Sequence, residues 1–110
     1  MALDITERDG ATIVALSGDV DLQTSPTVRQ GLLECLESHD KVFVDMSQVN
    51  YIDSSGVASL VEAFQVSRKK GTSFALAHVS PAAMRVLNLA RLDKVFSIFE
   101  SIEDALAADG

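Results

Sequence analysis

The sequence Asp53-Ser54-Ser55-Gly56 stands between a short apolar segment and a long amphipathic one. Behind it, apolar side chains recur at the i, i+3, i+4 and i+7 spacing of one helix face, namely at Val57, Leu60, Val61 and Phe64. A helix that begins here would be capped by Asp53 or Ser54, because their side-chain oxygens accept hydrogen bonds from the free amides of a first turn. Gly56 is expected to let another molecule approach the backbone closely.

This motif has two interpretations, one structural and one functional. Capping signals occur at every helix start, so the motif is explained by helix geometry alone. However, the start of a helix also carries free amides and the positive end of the helix dipole, which favour a negative charge. A serine hydroxyl placed there is suited to receive a phosphoryl group. Four residues do not separate a cap from a modification site.

Composition narrows the class of protein. The chain has 110 residues, which predicts one domain over 1–110. Its formal net charge of −7 argues against nucleic acid and anionic membranes as partners, because both require a basic surface. No apolar run approaches the roughly 20 residues of a membrane span, and the N-terminus lacks the features of a signal peptide. The single Cys35 cannot form an internal disulfide, which is typical of a cytoplasmic protein. Its thiol is expected to be packed in the core.

The first half of the chain predicts a hairpin, a helix and a strand. Asp9-Gly10 is a hairpin dipeptide between an N-terminal strand and a second strand over 12–16. Residues 18–21 are expected to break that second strand. Ser25-Pro26 supplies an N-cap and a first-turn proline for a helix that closes at residues 38–40. Residues 41–46 form the next strand, and residues 47–50 a loop that leads to Asp53.

The second half of the chain continues the alternation of helices and strands. The central helix ends in three basic residues followed by Gly71, and strands are expected over 73–79 and 95–99. Ser80-Pro81 begins a third helix, whose buried stripe is predicted to contain Met84, Leu87 and Ala90. Ser101 begins a short last helix through Ala107. The order β-β-α-β-α-β-α-β-α predicts an α/β fold: a mostly parallel five-stranded sheet with an antiparallel N-terminal hairpin strand and four helices.

With this order and the central motif, the chain resembles a STAS domain of the anti-sigma-factor antagonist type. The resemblance covers about residues 13–106 and rests on three segments in the family's order and spacing. These segments are Leu16-Ser17-Gly18-Asp19-Val20-Asp21, then Val44-Asp45-Met46-Ser47 through Tyr51-Ile52-Asp53-Ser54-Ser55-Gly56, and finally Val79-Ser80-Pro81 with Arg85-Val86-Leu87 and Leu92-Asp93-Lys94-Val95-Phe96.

The resemblance implies a phosphorylation switch without a cofactor. Members of the family bind an anti-sigma factor that is also a serine kinase, and so release a sigma factor for transcription. The kinase phosphorylates the second serine of the motif, here Ser55, and a protein serine phosphatase restores the unmodified form. The partner-binding residues implied for this chain are Asp21, Asp53, Ser54 and Gly56. Arg91 departs from the family, which commonly has a glycine at this position.

A protein with the same fold and a different partner is a competing interpretation. STAS subunits of phospholipid-transport ABC systems, and other constitutive STAS binding modules, often lack the second serine of the motif. The pair Ser54-Ser55 therefore favours the kinase-regulated branch.

An enzyme and a metal site are two further possibilities. Ser54 or Ser55 as a nucleophile with His78 as base would need a glycine two residues before the serine, and neither serine has one. Paired aspartates could hold Mg²⁺ with waters, either Asp19 with Asp21 or Asp45 with Asp53. Turn and cap roles explain these aspartates more economically. We therefore expect a protein that is not an enzyme.

Overall fold

A computed structural model of the chain describes residues 2–109, and it contains strands and helices in the predicted alternation. The strands are β1 (Ala2–Arg8), β2 (Ala11–Val20), β3 (Lys41–Ile52), β4 (Ser73–Ala77) and β5 (Ile98–Phe99). The α-helices are α1 (Ser25–Ser38), α2 (Ser54–Lys70), α3 (Pro81–Leu89) and α4 (Ile102–Asp109), with a 3₁₀ turn at Leu92–Lys94.

The five strands form one sheet in the order β1-β2-β3-β4-β5. The β1–β2 pair is antiparallel and the other three pairs are parallel, which confirms the predicted fold. Asp9 and Gly10 both have positive φ, 52° and 83°, as a two-residue turn between hairpin strands requires. Helix crossovers between the parallel strands bring the loops after β2 and β3 to the same edge of the sheet.

The sheet separates two apolar clusters of unequal size. The larger cluster packs α1, α2 and α3 against one face, and Leu32, Leu60 and Leu87 from the three helices are fully buried in it. On the other face, α4 places Ile102 and Ala105 against short and aromatic strand residues. Within residues 2–109, no helix combines the length and apolar character needed to cross a membrane.

Helix α2 has the boundaries that its sequence predicts, and its predicted apolar face packs against the main cluster, although Leu60 alone of its four residues is fully buried. Leu60 is fully buried, and Val57, Val61 and Phe64 are partly buried against the main cluster. The helix ends at Gly71, which adopts the left-handed conformation with φ 71°. Basic residues occupy its last turn, where they face the negative end of the helix dipole.

The prediction that residues 18–21 break the second strand was wrong. β2 continues to Val20, and its pairing with β3 shifts register before Ser17 and again after Gly18. Gly18 has φ 82°, so it forms a bulge within the strand instead of ending it. The predicted loop over 47–50 was wrong for the same reason, since β3 pairs with this extended β2 as far as Ile52.

Smaller corrections concern α1, α3 and β5. The N-cap of α1 is Thr24 and not Ser25, which is buried within the first turn. Ala83 takes the buried position in α3 that was predicted for Ala90, which is exposed. The last strand is short because the chain forms the 3₁₀ turn at Leu92–Lys94 and places Phe96 in the core before the strand begins at Ile98. Arg91 takes the left-handed conformation, φ 60°, that a glycine would adopt without strain.

Candidate functional site

The carboxylate of Asp53 organises the first turn of α2. Its Oδ1 atom accepts hydrogen bonds from the backbone amides of Ser55 and Gly56, at 3.0 and 3.1 Å. It also accepts a 2.6 Å hydrogen bond from the hydroxyl of Ser55. Asp53 is therefore the helix cap, which decides between the two capping residues that the sequence left open.

These hydrogen bonds lower the pKa of Asp53 below its ordinary value. The largest cause is the hydroxyl of Ser55, followed by the amide of Gly56, and the backbone amide of Leu22 contributes as well. All of these donors stabilise the charged form of the carboxyl group. The site thus holds a carboxylate directly beside the serine hydroxyl.

Ser55 is half-buried, whereas its neighbour Ser54 is exposed. Ser55 lines a groove of about 700 Å³ between α1 and α2. An ion pair crosses this groove, with a guanidinium nitrogen of Arg29 2.7 Å from a carboxylate oxygen of Glu62. A second hydrogen bond of 2.8 Å joins the same two side chains, and it is the main reason why the pKa of Glu62 is lowered.

Gly56 has a different role from the one expected for it. It is buried, and a methyl group at its Cα would lie 2.8 Å from side-chain atoms of Ile52 and Val20 and from the carbonyl oxygen of Val20. The absence of a side chain lets α2 pack closely on the ends of β2 and β3. The expectation that Gly56 leaves room for an approaching molecule was therefore wrong, because the space is filled from within the chain.

Asp21 lies in a turn that touches the start of α2. Its Oδ1 atom accepts hydrogen bonds from the amides of Gln23 and Thr24, at 3.0 and 3.1 Å. The hydroxyl of Thr24 accepts a 2.9 Å hydrogen bond from the amide of Asp21. The neighbouring loops are joined because the amide of Asp53 donates to the carbonyl of Val20 at 3.1 Å. The structure thus brings Asp21, Asp53, Ser54 and Ser55 to one edge of the sheet.

Sequence analysis missed two features of this site. Thr24 closes the turn at Asp21, and the Asp-x-x-Thr spacing of these residues is a recognisable turn pattern. The hydroxyl of Ser59 lies 3.2 Å from the carbonyl oxygens of both Ser25 and Ser55, so it joins α1 to α2 beside the site. No sequence pattern predicts the contact of Ser59 with Ser25, because it depends on how α1 and α2 pack.

His78, the base in the alternative enzyme hypothesis, does not line the same depression as Ser55. His78 is exposed at the end of β4 and lines a separate depression with Met84 and Phe99, whereas Ser55 lines the α1–α2 groove. Asp45 lies within β3 and accepts a hydrogen bond from the amide of Ser47 at 3.0 Å. Among residues 2–109, no three His, Cys, Asp or Glu side chains come together as a metal site.

Comparison with known proteins gives consistent results. The family model described as "STAS domain" matches residues 2–105 of this chain. The chain is 26% identical over 108 residues to the anti-sigma F factor antagonist of Paenibacillus polymyxa, which covers 96% of this chain and 92% of that protein. Its fold is similar to that of an anti-sigma factor antagonist from Mycobacterium paratuberculosis, with a TM-score of 0.87, 29% identity and coverage of 97% and 92%. The phosphorylated form of the Bacillus cell fate determinant SpoIIAA has the same fold, with a TM-score of 0.76, 15% identity and coverage of 99% and 100%.

Proposed function

Since this chain belongs to the STAS domain family, we propose that it is a cytoplasmic anti-sigma-factor antagonist whose binding to an anti-sigma factor kinase is switched off by phosphorylation of Ser55. The observation that carries this proposal is the hydroxyl of Ser55, half-buried in the first turn of α2 and reachable from the α1–α2 groove. A protein serine phosphatase would return the protein to its binding form. The protein itself catalyses no reaction in this scheme, and it needs no cofactor.

The contact surface in this proposal is the sheet edge around the start of α2. Asp21, Asp53 and Ser54 lie there on adjacent loops, and Ser54 is exposed. Gly56 contributes indirectly, because its close packing sets the position of α2 on β2 and β3. The antagonist would release a sigma factor for transcription by occupying the anti-sigma factor.

Phosphorylation would change the chemistry of this edge in a definite way. Transfer of the γ-phosphoryl group of ATP forms a P–O bond to Oγ of Ser55 and breaks the bond between the γ-phosphorus and the β,γ-bridging oxygen. ADP leaves with that oxygen, and the hydroxyl proton of Ser55 is released. The oxygen can then no longer donate the 2.6 Å hydrogen bond to Asp53. The added group carries about −1.5 to −2 charges at pH 7, directly beside an ionised carboxylate.

The fold is expected to survive this modification. The dipole of α2 favours a negative charge at this end, typically by 0.3–1 kcal/mol at an exposed terminus. The amides of Ser55 and Gly56 remain bonded to Asp53, and the buried residues of α2 are untouched. The partner surface changes instead, because groups fitted to a small hydroxyl meet a dianion. Two or three mismatched polar contacts of about 1–3 kcal/mol each would weaken binding by orders of magnitude.

The names of similar proteins support this proposal. Relatives from Paenibacillus polymyxa and Bacillus subtilis are anti-sigma factor antagonists, and each covers more than four fifths of this chain. SpoIIAA, which shares the fold, has been solved in phosphorylated and unphosphorylated forms. These observations support a binding protein that exists in two covalent states.

The test is to incubate the protein with candidate anti-sigma factor kinases and ATP, and to locate the phosphate by mass spectrometry. We expect modification at Ser55. Binding of the kinase, measured by calorimetry without ATP, should be retained by Ser55→Ala and weakened by Ser55→Asp. Ser54→Ala is the matched control for the phosphorylation site, since it removes the exposed neighbouring hydroxyl and should leave the phosphorylation of Ser55 intact.

Two results would overturn the proposal. One is modification at Ser54 alone, and the other is the absence of both binding and phosphorylation with every cognate anti-sigma factor. Association with a permease in place of an anti-sigma factor would identify the protein as a transport subunit instead.

A further inference from the structure

An exposed leucine lies in the turn beside the proposed contact surface. Five large apolar side chains are exposed among residues 2–109, and one of them, Leu22, is in the turn between β2 and α1 with 75% of its surface accessible. The amide of Asp53 donates to the carbonyl of Val20, two residues before Leu22, at 3.1 Å. The turn of Leu22 is therefore joined to the residue that binds the hydroxyl of Ser55.

The turn that carries Leu22 is held by side chains on both sides. Asp21 accepts hydrogen bonds from the amides of Gln23 and Thr24, which follow Leu22. The hydroxyl of Thr24 accepts from the amide of Asp21 and lies 3.0 Å from the carbonyl oxygen of Asp19. The amide of Ser25 donates to the carbonyl of Asp21 at 2.7 Å. A side chain displayed on a turn that is already ordered loses little conformational entropy when it binds a partner.

We propose that Leu22 is the apolar anchor of this surface and inserts into a pocket on the anti-sigma factor. This inference rests on the proposed function. Asp19 is exposed just before the turn and Asp53 lies on the adjacent loop, so the matching pocket is apolar with basic residues at its rim. Burial of this exposed leucine in an apolar pocket removes its side chain from water, and the affinity gained increases with the apolar area buried.

In this scheme Asp21 is a positioning residue. Its Oδ1 atom is already engaged by two amides of the turn and lies 3.2 Å from the hydroxyl of Thr24. Its main effect on binding is to hold Leu22 in place. A direct ionic contact with the partner is not required to explain why an aspartate stands here.

The leucine is tested with the anti-sigma factor kinase that binds the wild-type protein in the experiment above. Leu22→Ala should weaken its binding by about tenfold or more, as calorimetry would show. Leu89→Ala is the matched control, because Leu89 is 81% exposed but lies at the end of α3. It should bind within about twofold of wild type, and both variants should keep the wild-type unfolding midpoint because neither side chain is buried.

A second pair of variants separates positioning from direct contact. Asparagine retains a side-chain oxygen that can accept from the amides of Gln23 and Thr24. Asp21→Asn should therefore bind nearly as wild type, whereas Asp21→Ala should lose affinity as Leu22→Ala does. Equal loss in Asp21→Asn and Asp21→Ala would overturn the positioning role.

The outcomes also distinguish this inference from the proposed function. Wild-type affinity in Leu22→Ala, with Ser55 still phosphorylated, would overturn the anchor and leave the switch standing. A wild-type protein that binds no anti-sigma factor would overturn the proposed function and the anchor with it.

Discussion

Helices α2 and α3 begin alike, yet their first turns use hydroxyl groups differently. The cap of α3 is Ser80, whose buried hydroxyl donates to the carbonyl of Val49 at 2.7 Å and accepts from the amide of Ala83 at 3.2 Å. The cap of α2 is a carboxylate, and the hydroxyl of Ser55 is an additional donor to it. The hydroxyl in α3 is enclosed by the fold, whereas that in α2 is accessible. A serine at a helix start becomes a candidate for modification when a different residue serves as the cap.

The largest effect is expected at the third residue of each helix, which is Gly56 in α2 and Ala83 in α3. Gly56→Ala should destabilise the protein by about 3 kcal/mol, because the new methyl group would lie 2.8 Å from the backbone oxygen of Val20. Urea unfolding measures this change. Ala83→Gly, the reverse change at the matched position, should cost only about 1–2 kcal/mol through backbone entropy and a lost buried methyl. A mild effect of Gly56→Ala would contradict the close packing described here.

The next largest effect is expected from removing a serine hydroxyl at the start of each helix. Ser80→Ala should destabilise the protein by about 2 kcal/mol, because it leaves a buried carbonyl of Val49 and an amide of Ala83 without their partner. Ser54→Ala in α2 removes an exposed hydroxyl and should change stability by less than about 0.5 kcal/mol. Chemical denaturation of both variants side by side is the measurement. Equal destabilisation by Ser80→Ala and Ser54→Ala would contradict the difference described between the two helix starts.

Thr12 provides a third kind of hydroxyl, buried and without a hydrogen-bond partner among the residues that the structure describes. Thr12→Val should stabilise the protein by about 1 kcal/mol, since it removes the cost of desolvating that group. The control is Thr72→Val. The hydroxyl of Thr72 lies 2.9 Å from that of Ser67, so its removal should lower the stability of the protein. Denaturation midpoints that fall in both variants would show that the hydroxyl of Thr12 is satisfied in solution.

The smallest effect is a dependence on pH that the start of α2 should show and the start of α3 should not. The pKa of Asp53 in the folded protein is below its ordinary value of 3.8, so its stabilising contribution is complete above that value and is lost as the pH falls through the folded pKa. In an NMR titration, the amides of Ser55 and Gly56 should shift with a midpoint below 3.8, while that of Ala83 should not follow them. The same titration of Asp53→Asn is the control, because Glu62 and Glu103 also have lowered pKa values. A midpoint above 3.8 would contradict the hydrogen bonds assigned to this carboxylate.

Local chemistry made much of the fold predictable from sequence. Gly71 ends α2 and Ser80 begins α3 as expected, because caps depend on residues a few positions apart. The extent of β2 and β3 was not predictable, since Gly18 forms a bulge only because a neighbouring strand pairs on both sides of it. A glycine in an isolated sequence has the same appearance whether it ends a strand or bends one.

The start of α2 at the central motif was predictable from sequence, but the contacts around it were not. Asp53 and Ser55 follow from the motif, whereas the exposure of Leu22 and the ion pair of Arg29 with Glu62 depend on tertiary packing. Residues 33 positions apart meet only because α1 and α2 lie side by side. The packing role of Gly56 was hidden in the same way, because its neighbours come from the ends of two different strands.

The 2.6 Å bond between Ser55 and Asp53 has an energetic consequence for the proposed cycle. The unmodified protein contains this bond and the phosphorylated protein cannot, so the bond favours the hydrolysed side of the reaction. The charge of Asp53 acts in the same direction, because it repels the phosphate. We therefore expect hydrolysis of phosphorylated Ser55 to release more free energy in the wild-type protein than in the Asp53→Asn variant. Asp53 would thus shift the equilibrium towards the unmodified protein.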